Sequence, residues 1–416
     1  MALLLSGAGL LASCSGQKQA ENTLNTMQYP LTDTVAHTDE YFGTTVADPF
    51  RWLEDDMSEQ TADWVKRQNE VTDSYLAQIP FRQQIRDRLE QLYDYEKYSA
   101  PSREGDYYYF AKNDGLQNQS VLYRQKGLDG EPEVFIDPNK FAEDGTIAYS
   151  GGDFSQNYRY FAYLTSESGS DWRKIYVMDV ESKQLLTDTI DRAKFTGVSW
   201  KGDEGFYYST YDAPEGSELS AMNMYHKVYF HKLGTPQSED EVVFGGEELG
   251  ARYVGAFVTE DNKYLLASAA VSTSGNALYA KRLDQPGAEW IPMVGNYDNE
   301  WSYVHNEGDK FYFQTDYKAP NQQVLAASFG DTDPDNWEVF ISEKENMLRG
   351  VGFAGGNFFL NYLQDATTRI YQHSTQGQLV REVKLPALGS AGGFNGKKDD
   401  TELFYTFTSF TFPPTI

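Results

Sequence analysis

A mainly β body, built as a seven-bladed propeller behind an N-terminal α-helical segment, is the fold the sequence predicts. Composition is the first reason. Thirty Tyr, 25 Phe and 35 Gly among 416 residues favour pleated surfaces filled by aromatic rings and joined by tight turns, because Gly supplies the positive φ that hairpins need. A repeat is the second. Aromatic strand starts recur at Tyr107 (YYYF), Tyr160 (YFAY), Phe206 (FYYS), Tyr264 (YLLAS), Phe311 (FYF), Phe358 (FFLNY) and Phe404 (FYTF), 46 to 58 residues apart. Most follow a polar turn carrying Asp, Asn or Gly, and many precede a second strand such as SVLYRQ or RKIYVMDV. Such a period, with several short strands in each unit, is the mark of a propeller blade.

The chain opens with ALLLSGAGLLASC, an apolar run too short to span a bilayer that ends on Cys14, the single cysteine. Leu11-Ala12-Ser13-Cys14 resembles a bacterial lipobox, so residues 1–14 are expected to be a lipoprotein-type signal peptide with Cys14 the lipidated residue. No Lys or Arg precedes the apolar run, which suggests that the signal starts further upstream. The polar stretch that follows, residues 15–28, reads as a tether. A lipid anchor would be the only link to a membrane, and the bacterial envelope, on its periplasmic side, the expected location. One cysteine excludes an intrachain disulfide.

Residues 29–98 form the predicted helical segment. Asp56 and Glu59 have capping-box spacing, and Ala62, Val65, Thr72, Leu76 and Ile79 can share one apolar stripe. Pro80 breaks the run and opens a second helix, on which Ile85, Leu89 and Leu92 fall on one face. Both stripes need something to cover. The propeller then occupies residues 99–416. At its end, alternating Thr and aromatic residues from Phe404 to Phe412 read as one strand, which Pro413-Pro414 should terminate because proline cannot donate to a sheet ladder.

Charge narrows the function. Sixty-two acidic against 35 basic residues give a net charge of −27, which excludes a nucleic-acid partner because phosphate binding needs concentrated Lys and Arg. No catalytic residue is evident: G-x-S-x-G is absent, and His37, His226, His231, His305 and His373 are scattered without a Ser or Cys partner. No metal or cofactor is expected, since H-E-x-x-H is missing and one Cys cannot make a structural zinc site. AGGFNGKKD has Ala391 and Lys398 where a phosphate-binding loop needs Gly and Ser or Thr, and DTDPDNW from Asp331 lacks the later positions of a calcium loop. Both read as turns.

The stretch Asp48-Pro49-Phe50-Arg51-Trp52-Leu53-Glu54-Asp55 resembles the N-terminal signature of the prolyl oligopeptidase family of serine peptidases, and the likeness continues in order. LYDYEKYSAP, GLQNQSVLY, FIDPNKFAEDGT, SESGSDWRKIYVMDV, HKLGTPQSEDEVVF and the final KKDDTELFYTFTSFTFPPTI are similar to its prolyl-specific branch, over about residues 29–416. The resemblance implies a propeller inserted near the start of an α/β-hydrolase that carries a Ser-Asp-His triad. The hydrolase domain is expected to be absent from this chain, whose helical segment would ordinarily pack on it. It also implies cleavage of short peptides after proline in the full-length form, with the propeller gating access, while this chain alone is expected to be inactive. By motif match Phe195 in AKFTGVSW would line a substrate subsite beside proline, and Asp171 in SGSDW would face the hydrolase. Where relatives carry a substrate-binding Arg after YLL, this sequence has Ala269-Ala270. The alternative from another class is a lipid-anchored propeller that binds without catalysing.

Overall fold

The computed structural model describes residues 27–213 and 222–416. Cys14, the signal peptide and nearly all of the tether lie outside them. The chain divides into two compact units at Arg86 and Asp87.

In the first unit, the acidic and aromatic residues of the Asp48–Asp55 motif have structural work to do. Arg51 pairs with Asp39 of a small hairpin (Thr38–Tyr41 with Thr44–Ala47), with Asp48 at 2.9 Å and with Glu54 at 3.1 Å. Trp52 donates its indole N–H to the Asp33 carbonyl at 2.8 Å. Helix α1 spans Glu59–Ala77, and residues 30–32 run along it: Trp64 donates to Thr32 Oγ1 at 3.0 Å and Gln68 to the Pro30 carbonyl at 3.4 Å. The cap differs from the expected Asp56. Ser58 holds the extended conformation immediately before the first helical residue, and its hydroxyl accepts from the Thr61 N–H at 3.1 Å. Asp56 lies too far upstream to reach that donor. Helix α2 spans Arg82–Tyr93, and Ile85, Leu89 and Leu92 are each about half exposed along it.

The second unit is a seven-bladed propeller. Among the described residues, six four-stranded antiparallel blades follow one another in chain order, with a short additional strand on the first (Lys97–Tyr98), and a seventh blade has three strands. The first strands of blades 2, 3 and 4 (Ile147–Phe154, Ser199–Lys201 and Tyr253–Val258) touch one another across blades, as do those of blades 5 and 6, which places the first strands at the axis. Each aromatic start marks a second strand: Tyr107 opens Tyr107–Asn113, Tyr160 opens Tyr160–Glu167 and Tyr264 opens Tyr264–Ala270. Phe206, Phe311 and Phe358 fall one residue inside theirs, and Phe404 two residues ahead of Thr406–Ser409.

These rings fill the space between blades. Six buried clusters occupy the six successive interfaces; one joins blades 2 and 3 through Leu164, Ile175, Trp200 and Phe206, another blades 4 and 5 through Tyr264, Leu266, Phe311 and Trp337. Closure from blade 7 to blade 1 is made by side chains. Tyr108 meets Phe404 edge-on at 6.1 Å and donates to Glu402, while Lys397 pairs with Glu104.

The C-terminal residues depart from expectation. The chain turns at Phe410-Thr411 and returns as Phe412–Thr415 against Thr406–Ser409, with Phe407 opposite Thr415. Pro413 and Pro414 lie inside that last strand instead of ending it. They are tolerated because it is an edge, where a missing N–H need not face a ladder. In the rejected calcium loop Asp331 accepts the Asp333 N–H, and Asp333 accepts the Asp335 N–H and so caps the short helix Pro334–Asn336.

Candidate functional site: the propeller axis and its aromatic rim

Two adjoining cavities lie along the axis. One of about 680 Å³ is lined by Asp153, Arg173, Phe195, Thr196, Ser199 and Phe257 among others. The second, of about 860 Å³, is lined by Glu104, Tyr158, Glu260, Lys397 and Asp400 among others. They share Asp153, Ser199 and Val258 and form neighbouring stretches of one passage.

Phe195 sits at one end, on the connection from blade 2 to blade 3, at a left-handed φ of 50° that costs a non-glycine residue strain. Its surroundings hold it there. Tyr253 meets the ring at 5.4 Å and 72°, Tyr211 at 6.3 Å and 88°. Tyr211 stacks at 4.2 Å on His226, whose Nδ1 accepts from the Val254 N–H at 3.0 Å and whose Nε2 lies 3.0 Å from the Lys194 carbonyl. An amide donor at Nδ1 fixes the neutral tautomer with its proton on Nε2, donating to Lys194. Burial pushes the imidazole pKa down to about 4, with the Lys194 carbonyl acting weakly the other way.

Lys194 is itself buried; its ammonium reaches Asn223 Oδ1 at 3.0 Å and lies over the rings of Trp172 (4.7 Å) and Phe195 (5.3 Å). Lys194 also pairs across strands with Trp172, the residue after exposed Asp171. The structure therefore brings the two sequence-predicted positions to the same end of the propeller, joined through Trp172 and Lys194. Phe195 is 40% exposed and Tyr253 45%, too open for interior packing residues, and their edge-to-face rings form a cup that suits a flat apolar group. The sequence reading missed Tyr211, Tyr253, Lys194 and His226. No local signal marks His226, because its partners lie 32 and 28 residues away.

At the other end, Lys397 pairs with Glu104, donates to the Tyr158 hydroxyl at 3.0 Å, and lies over that ring at 4.3 Å. Lys398 reaches Glu307 at 2.7 Å. Both come from the lysine pair of AGGFNGKKD, which thus furnishes the mouth of the passage. Among the described residues no group of His, Cys, Asp and Glu is arranged to hold a metal ion.

Residues 30–416 match the family described as "Prolyl oligopeptidase, N-terminal beta-propeller domain". The chain belongs to the prolyl oligopeptidase family. Over 398 residues it is 48% identical to a prolyl endopeptidase of Elizabethkingia meningoseptica, an alignment covering 95% of this chain and 56% of that protein. A dual function macrocyclase-peptidase of Galerina marginata is 30% identical over 421 residues, covering 93% and 57%. Among solved structures, prolyl oligopeptidase B of Galerina marginata bound to a 35mer hydrolysis and macrocyclization substrate superposes with a TM-score of 0.81 at 29% identity, covering 93% of this chain and 58% of that one. The chain thus spans a little over half the length of the prolyl oligopeptidases it matches.

Proposed function

We propose that this chain is the propeller-bearing portion of a serine endopeptidase that cleaves short peptides after proline, the propeller admitting extended peptides and excluding folded ones. The observation that carries this reading is the 48% identity to prolyl endopeptidases sustained over 95% of the chain. Its own residues perform binding and admission: the Phe195–Tyr253 cup receives a flat side chain next to the scissile proline, and Asp171 faces the hydrolase portion. The chemistry would belong to a Ser-Asp-His triad on that portion, with His taking the serine proton and Asp orienting the base. The test is hydrolysis of a proline-linked chromogenic peptide by the 416-residue chain, alone and with a hydrolase portion supplied in trans. No rate alone and a serine-inhibitor-sensitive rate on mixing support the reading; a rate from the chain alone overturns the division of labour.

The lipobox supports a second element: lipid attachment at Cys14 and residence in the periplasm. Metabolic labelling with a fatty-acid analogue in a Gram-negative host, with a repaired signal, should give labelled protein that Cys14→Ser abolishes. Label that persists in the variant, or never forms, removes the anchor.

A further inference from the structure

Lys194 is a buried ammonium that, among the described residues, forms no ion pair. It ends the strand Leu185–Lys194, opposite Trp172 of the neighbouring strand, and is 4% exposed. Of its three N–H donors, one reaches Asn223 Oδ1 at 3.0 Å. Nearby acids do not pair with it: Asp171, beside Trp172, is exposed, and Asp212, beside Tyr211, is held by Lys227 at 2.6 Å. A cation out of water is costly unless something compensates it. Here aromatic faces do so, since the ammonium lies 4.7 Å from the centre of the Trp172 ring and 5.3 Å from that of Phe195.

The backbone arranges this contact. Successive side chains of an extended strand point to opposite faces, and the left-handed φ of 50° at Phe195 breaks that alternation. The ring is thereby set against the ammonium of the residue just before it. His226 holds the same turn by its bond to the Lys194 carbonyl at 3.0 Å.

That placement bears on what the cup accepts. Phe195 and Tyr253 are open to solvent and meet edge to face at 5.4 Å, and two such rings attract a ligand cation to their negative faces. Lys194 already engages the face of Phe195. A second cation in the cup gains little from that ring and is repelled by a like charge held across it, with protein in place of screening water. Arg173 adds to the effect: it lines the same 680 Å³ cavity as Phe195, with a long 3.4 Å contact to the Thr196 carbonyl and, among the described residues, no ion pair. An uncharged flat group meets no such repulsion and keeps the contact area of both rings.

We infer that Lys194 is a specificity-determining residue of the aromatic cup: acting through the Phe195 ring, it makes the cup take uncharged flat side chains and reject the Lys and Arg side chains that open rings otherwise attract. That the group in the cup belongs to a peptide rests on the function proposed above; the charge selection rests on the geometry of Lys194.

Calorimetric titration of the 416-residue chain tests it with three probes: N-acetyl-Arg-Pro amide, N-acetyl-citrulline-Pro amide, which has the same shape without the charge, and N-acetyl-Phe-Pro amide. The wild-type chain should bind the citrulline peptide at least about tenfold more tightly than the arginine one. In Lys194→Met that margin should close because the arginine peptide tightens, a gain that the loss of a merely structural lysine does not produce, while the phenylalanine peptide binds as before. Lys194→Arg should keep the margin together with the charge. Lys140→Met, at an exposed lysine that lines neither cavity, alters the net charge equally and should also keep it. A margin that closes in either of these two controls shows that size or net charge sets it, and overturns the inference. Equal binding of the arginine and citrulline peptides by the wild-type chain, a comparison that needs no variant to fold, overturns it as well. So does a Lys194→Met variant that binds all three probes more weakly; each of these outcomes leaves the peptide passage standing. Absence of binding by every probe fails the passage itself, and the inference with it.

Discussion

His226 donates its Nε2 proton to the carbonyl of Lys194, the residue immediately before strained Phe195. The aromatic cup of Phe195 and Tyr253 is thereby fastened to a buried side chain that stays neutral. The bond takes up an acceptor that would otherwise be orphaned beside a left-handed residue, and Nδ1 does the same for the Val254 N–H next to Tyr253.

Replacing the imidazole tests that fastening. His226→Phe keeps a ring against Tyr211 but strands a buried donor and a buried acceptor, and should cost about 1–3 kcal/mol in urea unfolding. The sign of its pH dependence follows from a pKa lowered from 6.5 to about 4. The contribution is full above pH 6.5 and is lost as pH falls toward 4, because the unfolded imidazole takes up a proton that the folded one refuses. The gap between wild type and variant should therefore narrow between pH 7 and pH 4.5.

His231 should behave in the opposite sense. Fully buried, it lies 2.8 Å from Asp240 and 3.2 Å from Asp188, both buried themselves. Burial pulls its pKa down, but Asp240 and then Asp188 outweigh it and the net shift is upward. This contribution is complete below pH 6.5 and disappears as pH rises through the elevated pKa. His231→Leu leaves two buried carboxylates without their shared cation and should cost about 3–5 kcal/mol. Urea midpoints at pH 6 and pH 9 check it, and the larger loss belongs at pH 6.

Much of the fold was legible, and the reason is physical. Second strands face neighbouring blades on both sides, so each must carry large rings, and Tyr107, Tyr160 and Tyr264 repeat at blade spacing. What stayed hidden depends on distant partners. His231 finds Asp188 43 residues away, and nothing near either residue announces the pair. Phe195 and Asp171 entered through family resemblance, and only cross-strand pairing shows that Trp172 and Lys194 connect them. Pro413-Pro414 misled for a local reason: the rule that proline ends a strand holds inside a sheet and fails at an edge.

Asp153→Asn should not weaken the fold. A carboxyl group whose pKa rises from 3.8 to about 6 on folding opposes folding once it ionises, so the amide should give an equal or higher urea midpoint at pH 8. Any gain should vanish below about pH 4, where the acid is protonated in both states. A clear drop at pH 8 would instead make Asp153 a structural acid.

The last prediction concerns α2, where Ile85, Leu89 and Leu92 are 51%, 48% and 51% exposed. Burying such side chains contributes roughly 1.5–3 kcal/mol each, and a helix of 12 residues is marginal in water without that packing. Residues 82–93 should therefore exchange amide protons quickly in the isolated chain, while second strands such as Tyr264–Ala270, whose rings fill blade interfaces, exchange slowly. A hydrolase portion added in trans should slow exchange across residues 82–93 and leave the blades as they were, if that portion is what the stripe packs on. Hydrogen-exchange mass spectrometry reads both arms. Equal protection of residues 82–93 and the blade strands in the isolated chain would show that the stripe is already covered, and would favour a propeller that binds ligands on its own over one half of a peptidase.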